Sequence, residues 1–257
     1  MRHRPTVVGV ADRADVSIAS VSRGAQRQAG PAGRGRVHDQ PPLRGSPELV
    51  DALVNATVPE VIVGDIAEST PLDTVRTDSR RGVVMAHAHL LETGRRRIAF
   101  VNGPADTAPG RARSEGYQQA CAATGSTGPV VEVDDFTVAA GEEAWATLGA
   151  LDPRRRPDAV IAANDLLAFG VMRAAHNARR RVPQQLAVVG IDDTQFARVF
   201  SPSLTSVSLG ARTRGHEAAR LLLGRMEAPK TPPRTVRVEP RLVVRESSAP
   251  ARERVGP

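Results

Sequence analysis

The chain has 257 residues, 40% of them hydrophobic, and one cysteine, which is length for one large or two modest folded domains and excludes an intramolecular disulfide. Aromatic residues make up only 3%, so a core must come from Val, Leu, Ile and Ala, and RNA modules that stack bases on sheet aromatics are disfavoured. The net charge of +7 is unevenly placed: residues 1–44 hold eight Arg and no Lys against Asp12, Asp15 and Asp39, while the rest carries 27 basic against 25 acidic residues. A basic head on a nearly neutral body is what a small nucleic-acid-binding module fused to something larger looks like. The basic set is all Arg except Lys230, a bias that a GC-rich gene also produces, so the location of the charge says more than its total.

Thr6 can cap a first helix whose apolar residues Val7, Val10, Ala11 and Ala14 recur at intervals of three and four. After a turn at Asp15 and Val16, Ser17 can cap a second helix over Ile18–Arg23, with Val21 turned back toward Val10 and Ala14. Two short helices joined so tightly form the unit that lays its second helix in the major groove. Residues 1–29 are therefore expected to be a small helical head. Between Gly30 and Pro47, eight of eighteen positions are Gly or Pro, which predicts a linker; a third head helix would have to fit around Arg34–Asp39.

Beyond the linker, β-branched runs alternate with amphipathic stretches. Strands are predicted at Val61–Val63, Ile98–Val101, Val130–Val133, Ala159–Ala162, Leu186–Ile191 and Leu204–Val207, with an extended stretch at Val236–Val244. Helices are predicted at Gly82–Leu91, Arg113–Ala123, Ala139–Leu151, Leu166–Ala178 and Gly215–Met226. Such alternation predicts an α/β fold of parallel sheets flanked by helices, with ligands at the carboxyl ends of the strands.

Met1–Val16 lacks an apolar stretch of signal-peptide length, and nowhere do about 18 apolar residues run uninterrupted, so a cytoplasmic protein without a membrane partner is expected. Catalysis has no sequence support. No HExxH, GxSxG or phosphate-cradling loop with a Lys occurs, and no cofactor motif is present. His87 and His89 are two apart, so on a helix they point away from each other and cannot share a metal; Cys121 sits in an Ala-rich helix as a core residue.

The segment Pro5-Thr-Val-Val-Gly-Val-Ala-Asp-Arg-Ala-Asp-Val-Ser-Ile-Ala-Ser-Val-Ser-Arg23 resembles the helix-turn-helix of the LacI family of bacterial regulators. The body is similar to the sensor core of that family at Arg95-Arg-Arg-Ile-Ala-Phe-Val-Asn-Gly-Pro104, Arg113-Ser-Glu-Gly-Tyr117 and Ala162-Ala-Asn-Asp-Leu-Leu-Ala-Phe-Gly170. Val182-Pro, Val188-Val-Gly-Ile-Asp-Asp193, Ser203-Leu-Thr-Ser-Val207 and Leu242-Val-Val-Arg-Glu-Ser-Ser248 extend the likeness almost to the C-terminus. The resemblance implies a two-lobed periplasmic-binding-protein-like core, a homodimer, a double-stranded DNA operator and a small carbohydrate effector that shifts the populations of two lobe arrangements.

By the same resemblance, Ser17, Ile18, Ala19, Ser20, Ser22 and Arg23 are the DNA-contacting set, Arg23 being suited to a guanine or a phosphate. Arg113, Phe136, Asn164 and Asp192 are the effector-binding set. Each of these four has an ordinary structural alternative: a surface cation, a core ring, a helix cap and a turn.

The chain departs from the family pattern at Gly9, at Asp15 and throughout Gly24–Arg44, where a third helix, a hinge helix and two strand–helix units are expected. At roughly 30 residues per unit, about 60 residues are missing. An internal deletion or frameshift predicts a degenerate head and an incomplete N-terminal lobe over 48–104 and 208–228, beside a C-terminal lobe over 105–207 and 234–248 and a tail at 249–257. The competing expectation is a ligand-binding or dimerising sensor module, or a relic, without DNA binding.

Overall fold

The computed structural model describes residues 36–39, 53–64 and 70–249. The predicted head helices lie outside the described residues. The chain divides into two units, residues 1–77 with 210–239 and residues 78–209 with 240–257, so it passes between them three times.

In the first unit, four parallel strands run in the order β1 (Arg36–Asp39), β2 (Glu60–Val63), β3 (Asp73–Thr77) and β9 (Thr235–Val238). Helix α6 (Ala211–Glu227) turns Ala218, Leu221 and Leu222, spaced three and one apart on one face, onto Val37, Val61, Val63 and Val75. Two of these strands were not predicted. Strand β1 falls in the Gly/Pro-rich stretch, where its short Arg-Val-His-Asp run pairs with β2 and replaces the third helix considered there. Strand β3 was hidden by its charges.

Those charges are satisfied inside. The Asp73 carboxylate, fully buried, accepts two hydrogen bonds from the Arg225 guanidinium, Nε to Oδ2 and Nη2 to Oδ1, each at 3.0 Å, and one from the Arg234 backbone N–H at 2.8 Å. Arg225 also donates to the carbonyls of Pro229, Thr231 and Pro232, so a single guanidinium ties the end of α6, the loop beyond it and the start of β3 together. Burial by itself would raise the Asp73 pKa; the Arg225 and Arg234 contacts outweigh it, and the carboxyl is held below its ordinary value.

The second unit is built on six strands in the order β10 (Arg241–Val243), β8 (Thr205–Ser208), β7 (Ala187–Ile191), β6 (Ala159–Ala162), β4 (Ile98–Asn102) and β5 (Val130–Glu132). All neighbours are parallel except β10, which runs antiparallel to β8. Helices α1 (Ser79–Glu92), α2 (Ala108–Thr124), α3 (Val138–Gly149) and α4 (Asp165–Asn177) connect and cover them, and a short α5 (Phe196–Val199) follows β7. Four of these helices begin on a polar cap: Asp78, Thr107, Thr137 and Asn164 each accept from the backbone N–H three residues on. The caps explain why α1 and α2 start several residues ahead of the apolar repeat that predicted them. Strands β4, β6 and β7 are buried along their whole lengths, as expected of parallel strands covered on both faces.

The observed division differs from the expected one in two places. Residues 79–102 belong to the second unit, because Val83, Ala86 and Leu90 of α1 and the whole of β4 pack into its core with Val160, Val188 and Val207. The extended stretch Val236–Val244 breaks at Glu239–Pro240 into two strands of different sheets, which makes it the third crossing between units. Among the described residues no helix is long and apolar enough to cross a membrane.

Removing one partner of the buried Asp73 cluster strands a charge in the first unit. Asp73→Asn is expected to cost about 3 kcal/mol of unfolding free energy, by analogy with other buried pairs, in a denaturant titration at pH 7. Because the folded pKa is depressed, this contribution is present above the unfolded carboxyl value and fades as pH falls through the folded one. Wild type and variant should therefore converge in stability well below pH 4.

Candidate functional site

With both faces of the second sheet covered, its strand ends are the places left for polar chemistry. At the carboxyl end of β4, Asn102 is fully buried and donates from Nδ2 to the Gly110 carbonyl at 3.1 Å, anchoring the start of α2. Arg113, one turn further along α2, is 4% exposed; its Nη1 donates to the Ala163 carbonyl just beyond β6 at 2.6 Å. Its Nη2 lies 3.7 Å from Oδ1 of Asp192, which immediately follows β7. The guanidinium carbon is 6.0 Å from the centroid of the Phe136 ring, which comes from the loop after β5 and fits a cation–π contact.

The Phe136 ring rests on bare backbone. A β-carbon at Gly103, the residue after β4, would lie 2.3 Å from Cε1 of that ring, so any larger residue displaces it. Asn164 completes the group. Its Oδ1 accepts from Leu167 N at 2.8 Å as the cap of α4, and its Nδ2 donates to the Phe136 carbonyl at 3.2 Å. An amide has two N–H groups and two lone pairs, so each end keeps capacity for another partner.

All four residues expected to form an effector site thus gather at the carboxyl ends of β4, β5, β6 and β7. The structural alternatives are partly true as well, since Asn164 caps a helix and Asp192 stands in a turn with positive φ. The arrangement offers a rigid donor, an acceptor carboxylate, a two-way amide and a ring.

Three further residues, Asp165, Asp193 and Arg245, support the turn that carries Asp192. Asp165 accepts from Ser206 Oγ at 2.6 Å and from Thr194 N at 2.7 Å; burial raises its pKa, and the charge of Asp193 adds to that rise against both hydrogen bonds. Asp193 pairs with Arg245 at 2.6 Å. The sequence motifs Asn-Asp, Asp-Asp and Arg-Glu-Ser-Ser flag these positions, yet spacing alone shows no reason for them to meet. The two histidines face different partners, His87 Nε2 lying 2.9 Å from Ser126 Oγ and His89 Nε2 2.7 Å from Ser248 Oγ. Burial lowers the pKa of both. Cys121 is half-buried on α2 against the same core.

Comparison with known proteins agrees with this geometry. A family model described as a periplasmic binding protein-like domain matches residues 87–248. The HTH-type transcriptional regulator CelR of Thermobifida fusca is 39% identical over 175 residues, 67% of this chain and 51% of that protein. The ribose operon repressor of Escherichia coli (strain K12) is 32% identical over 194 residues, 75% of this chain and 58% of that protein. Among solved structures, a CelR–cellobiose complex superposes with a TM-score of 0.73 at 36% identity, covering 83% of this chain and 65% of that one. A LacI family transcriptional regulator from Enterococcus faecium with bound ribose gives 0.74 at 26%, covering 85% and 81%. The chain belongs to the family of periplasmic-binding-protein-like domains, within the branch formed by the LacI-type regulators. It spans a little over half the length of the curated relatives it matches.

Overpacking at the ring's seat is a direct test of that packing. Gly103→Ala is expected to cost about 1–3 kcal/mol in denaturant unfolding. Most of that loss should vanish in a Phe136→Ala background, since the clash needs the ring; equal losses in both backgrounds would place the strain elsewhere.

Proposed function

We propose that this protein is a DNA-binding transcriptional repressor whose operator binding is governed by a small carbohydrate held by Arg113, Phe136, Asn164 and Asp192. The observation that carries the reading is the convergence of these four residues, drawn from four separate chain segments, on the ends of neighbouring parallel strands. Their chemistry favours a neutral polyhydroxyl ligand over an anion: the charges of Arg113 and Asp192 offset each other, the guanidinium donates, the carboxylate accepts, and the ring suits an apolar sugar face. The relatives' names support the same class, since one solved complex holds cellobiose and another ribose. A regulator that senses a metabolite and reads DNA belongs in the cytoplasm, and as a homodimer it would present two heads to a pseudo-palindromic site.

Ser17, Ile18, Ala19, Ser20, Ser22 and Arg23 are assigned to the DNA contact, Arg23 foremost. They lie outside the described residues, and the assignment rests on the basic N-terminal stretch and the helix-turn-helix likeness. A sensor without DNA binding is not favoured, because the relatives are named as regulators and repressors. An enzymatic role finds no support in those names either.

Two measurements test the proposal. In fluorescence anisotropy over a salt series, the full chain should bind duplexes from its own promoter region selectively, and Arg23→Ala should lose that selectivity; unchanged affinity in the variant would remove Arg23 from the contact. In thermal melting with millimolar cellobiose or D-ribose, a sugar that raises the wild-type midpoint should leave Asp192→Ala unmoved. A full-sized shift in that variant would move the ligand elsewhere.

A further inference from the structure

Asp192 faces Arg113 only because the chain leaves β7 through an unusual turn. Asp192 has φ of 113° and Asp193 of 53°, two successive residues in the region where side chains are disfavoured. Such backbone persists only where its surroundings over-determine it. Three backbone groups help to hold it: Asp192 N donates to the Val207 carbonyl at 2.9 Å, Asp193 N to Ser206 Oγ at 3.0 Å, and Thr194 N to Asp165 Oδ2 at 2.7 Å. Gly190 is part of the same support, because a β-carbon there would lie 2.5 Å from Oδ1 of Asp165.

Besides the Arg113–Asp192 pair, an ionic contact reaches this turn from far away in sequence. Arg245 Nη2 donates to Asp193 Oδ1 at 2.6 Å, 52 residues along the chain, and the two side chains are only 12% and 6% exposed. Arg245 is itself held rigidly. Its Nη1 donates to the Leu204 carbonyl at 2.7 Å, and its backbone N–H donates to Thr205 Oγ1 at 2.7 Å. Ser248, three residues on, donates to the same Thr205 hydroxyl at 2.7 Å.

We propose that Arg245 is a positioning residue for the effector site: by clamping Asp193 it locks the left-handed turn that aims the Asp192 carboxylate at Arg113. The proposal rests on the reading of Asp192 as an effector contact. Physically, Asp193 without Arg245 is a buried carboxylate without its ionic partner and near a second one, Asp165, a burial cost that it escapes by swinging toward water. That movement releases the side-chain restraint on Asp193, and the φ of its neighbour relaxes with it. Arg245 bonds Asp193, the neighbour of Asp192, so its effect on the site passes through that turn.

The test is a double-mutant cycle on the full chain, with cellobiose and D-ribose as probes in isothermal titration calorimetry. Arg245→Gln is expected to weaken the sugar that wild type binds by tenfold or more, and to cause little further loss when added to Asp192→Asn, a milder change that keeps measurable binding. Arg245→Lys, which keeps the charge without the planar fork, should lie between and serves if the Gln variant does not fold. A second readout needs no ligand: the Arg113 Nε–H resonance should move in Arg245→Gln toward its position in Asp192→Ala. Unchanged affinity, an equal loss in both backgrounds, or an unmoved Arg113 signal would each overturn the proposal. If neither sugar binds wild type, the choice of those sugars fails while the Arg113 signal still decides the role of Arg245.

Discussion

Burial of the central strands on both faces is the constraint from which the rest of the second unit follows. A strand such as Ala159–Ala162 or Ala187–Ile191, enclosed along its length, can carry only apolar side chains, so functional groups are pushed to its ends. The loops that leave those ends then place Arg113, Phe136, Asn164 and Asp192 within reach of one another. The site is less a feature added to the sheet than what remains polar once the sheet is enclosed.

Enclosure also leaves at least one member of each of three ion pairs buried, and the protein uses arginine in all three. Asp73 with Arg225 in the first unit, and Asp193 with Arg245 and Asp192 with Arg113 in the second, all match a carboxylate to a guanidinium whose other N–H groups reach backbone carbonyls. A planar fork with five donors suits such duty better than a lysine ammonium does. In a chain with a single lysine, the same composition that loads the N-terminus with charge supplies the clamps inside the folded units.

Most of the second unit was legible as sequence. Its strands announced themselves as short β-branched runs and its helices as apolar repeats, and the predicted span Ala159–Ala162 matches the observed strand. The errors have specific physical origins. Asp73–Thr77 reads as polar because its charges are satisfied across the unit by Arg225 and Arg234, which no local window contains. Arg36–Asp39 lies among glycines and prolines, and only pairing with Glu60–Val63 makes it a strand. Val236–Val244 reads as one extended run because nothing local says that Pro240 sends the chain into another sheet.

Sequence by itself determined the alternating α/β plan, the uneven charge and the four residues that later gather at the carboxyl ends of neighbouring strands, since each of these depends on neighbours within a few positions or on motif order. Tertiary structure alone decided that α1 and β4 belong to the second unit, that Asp193 meets Arg245 across 52 residues, and that Asp192 adopts a positive φ. The reason is the same in each case. Propensity and periodicity are local, whereas the partner of a buried charge, and the sheet that accepts a strand's hydrogen bonds, are settled only when distant segments compete for the same interior.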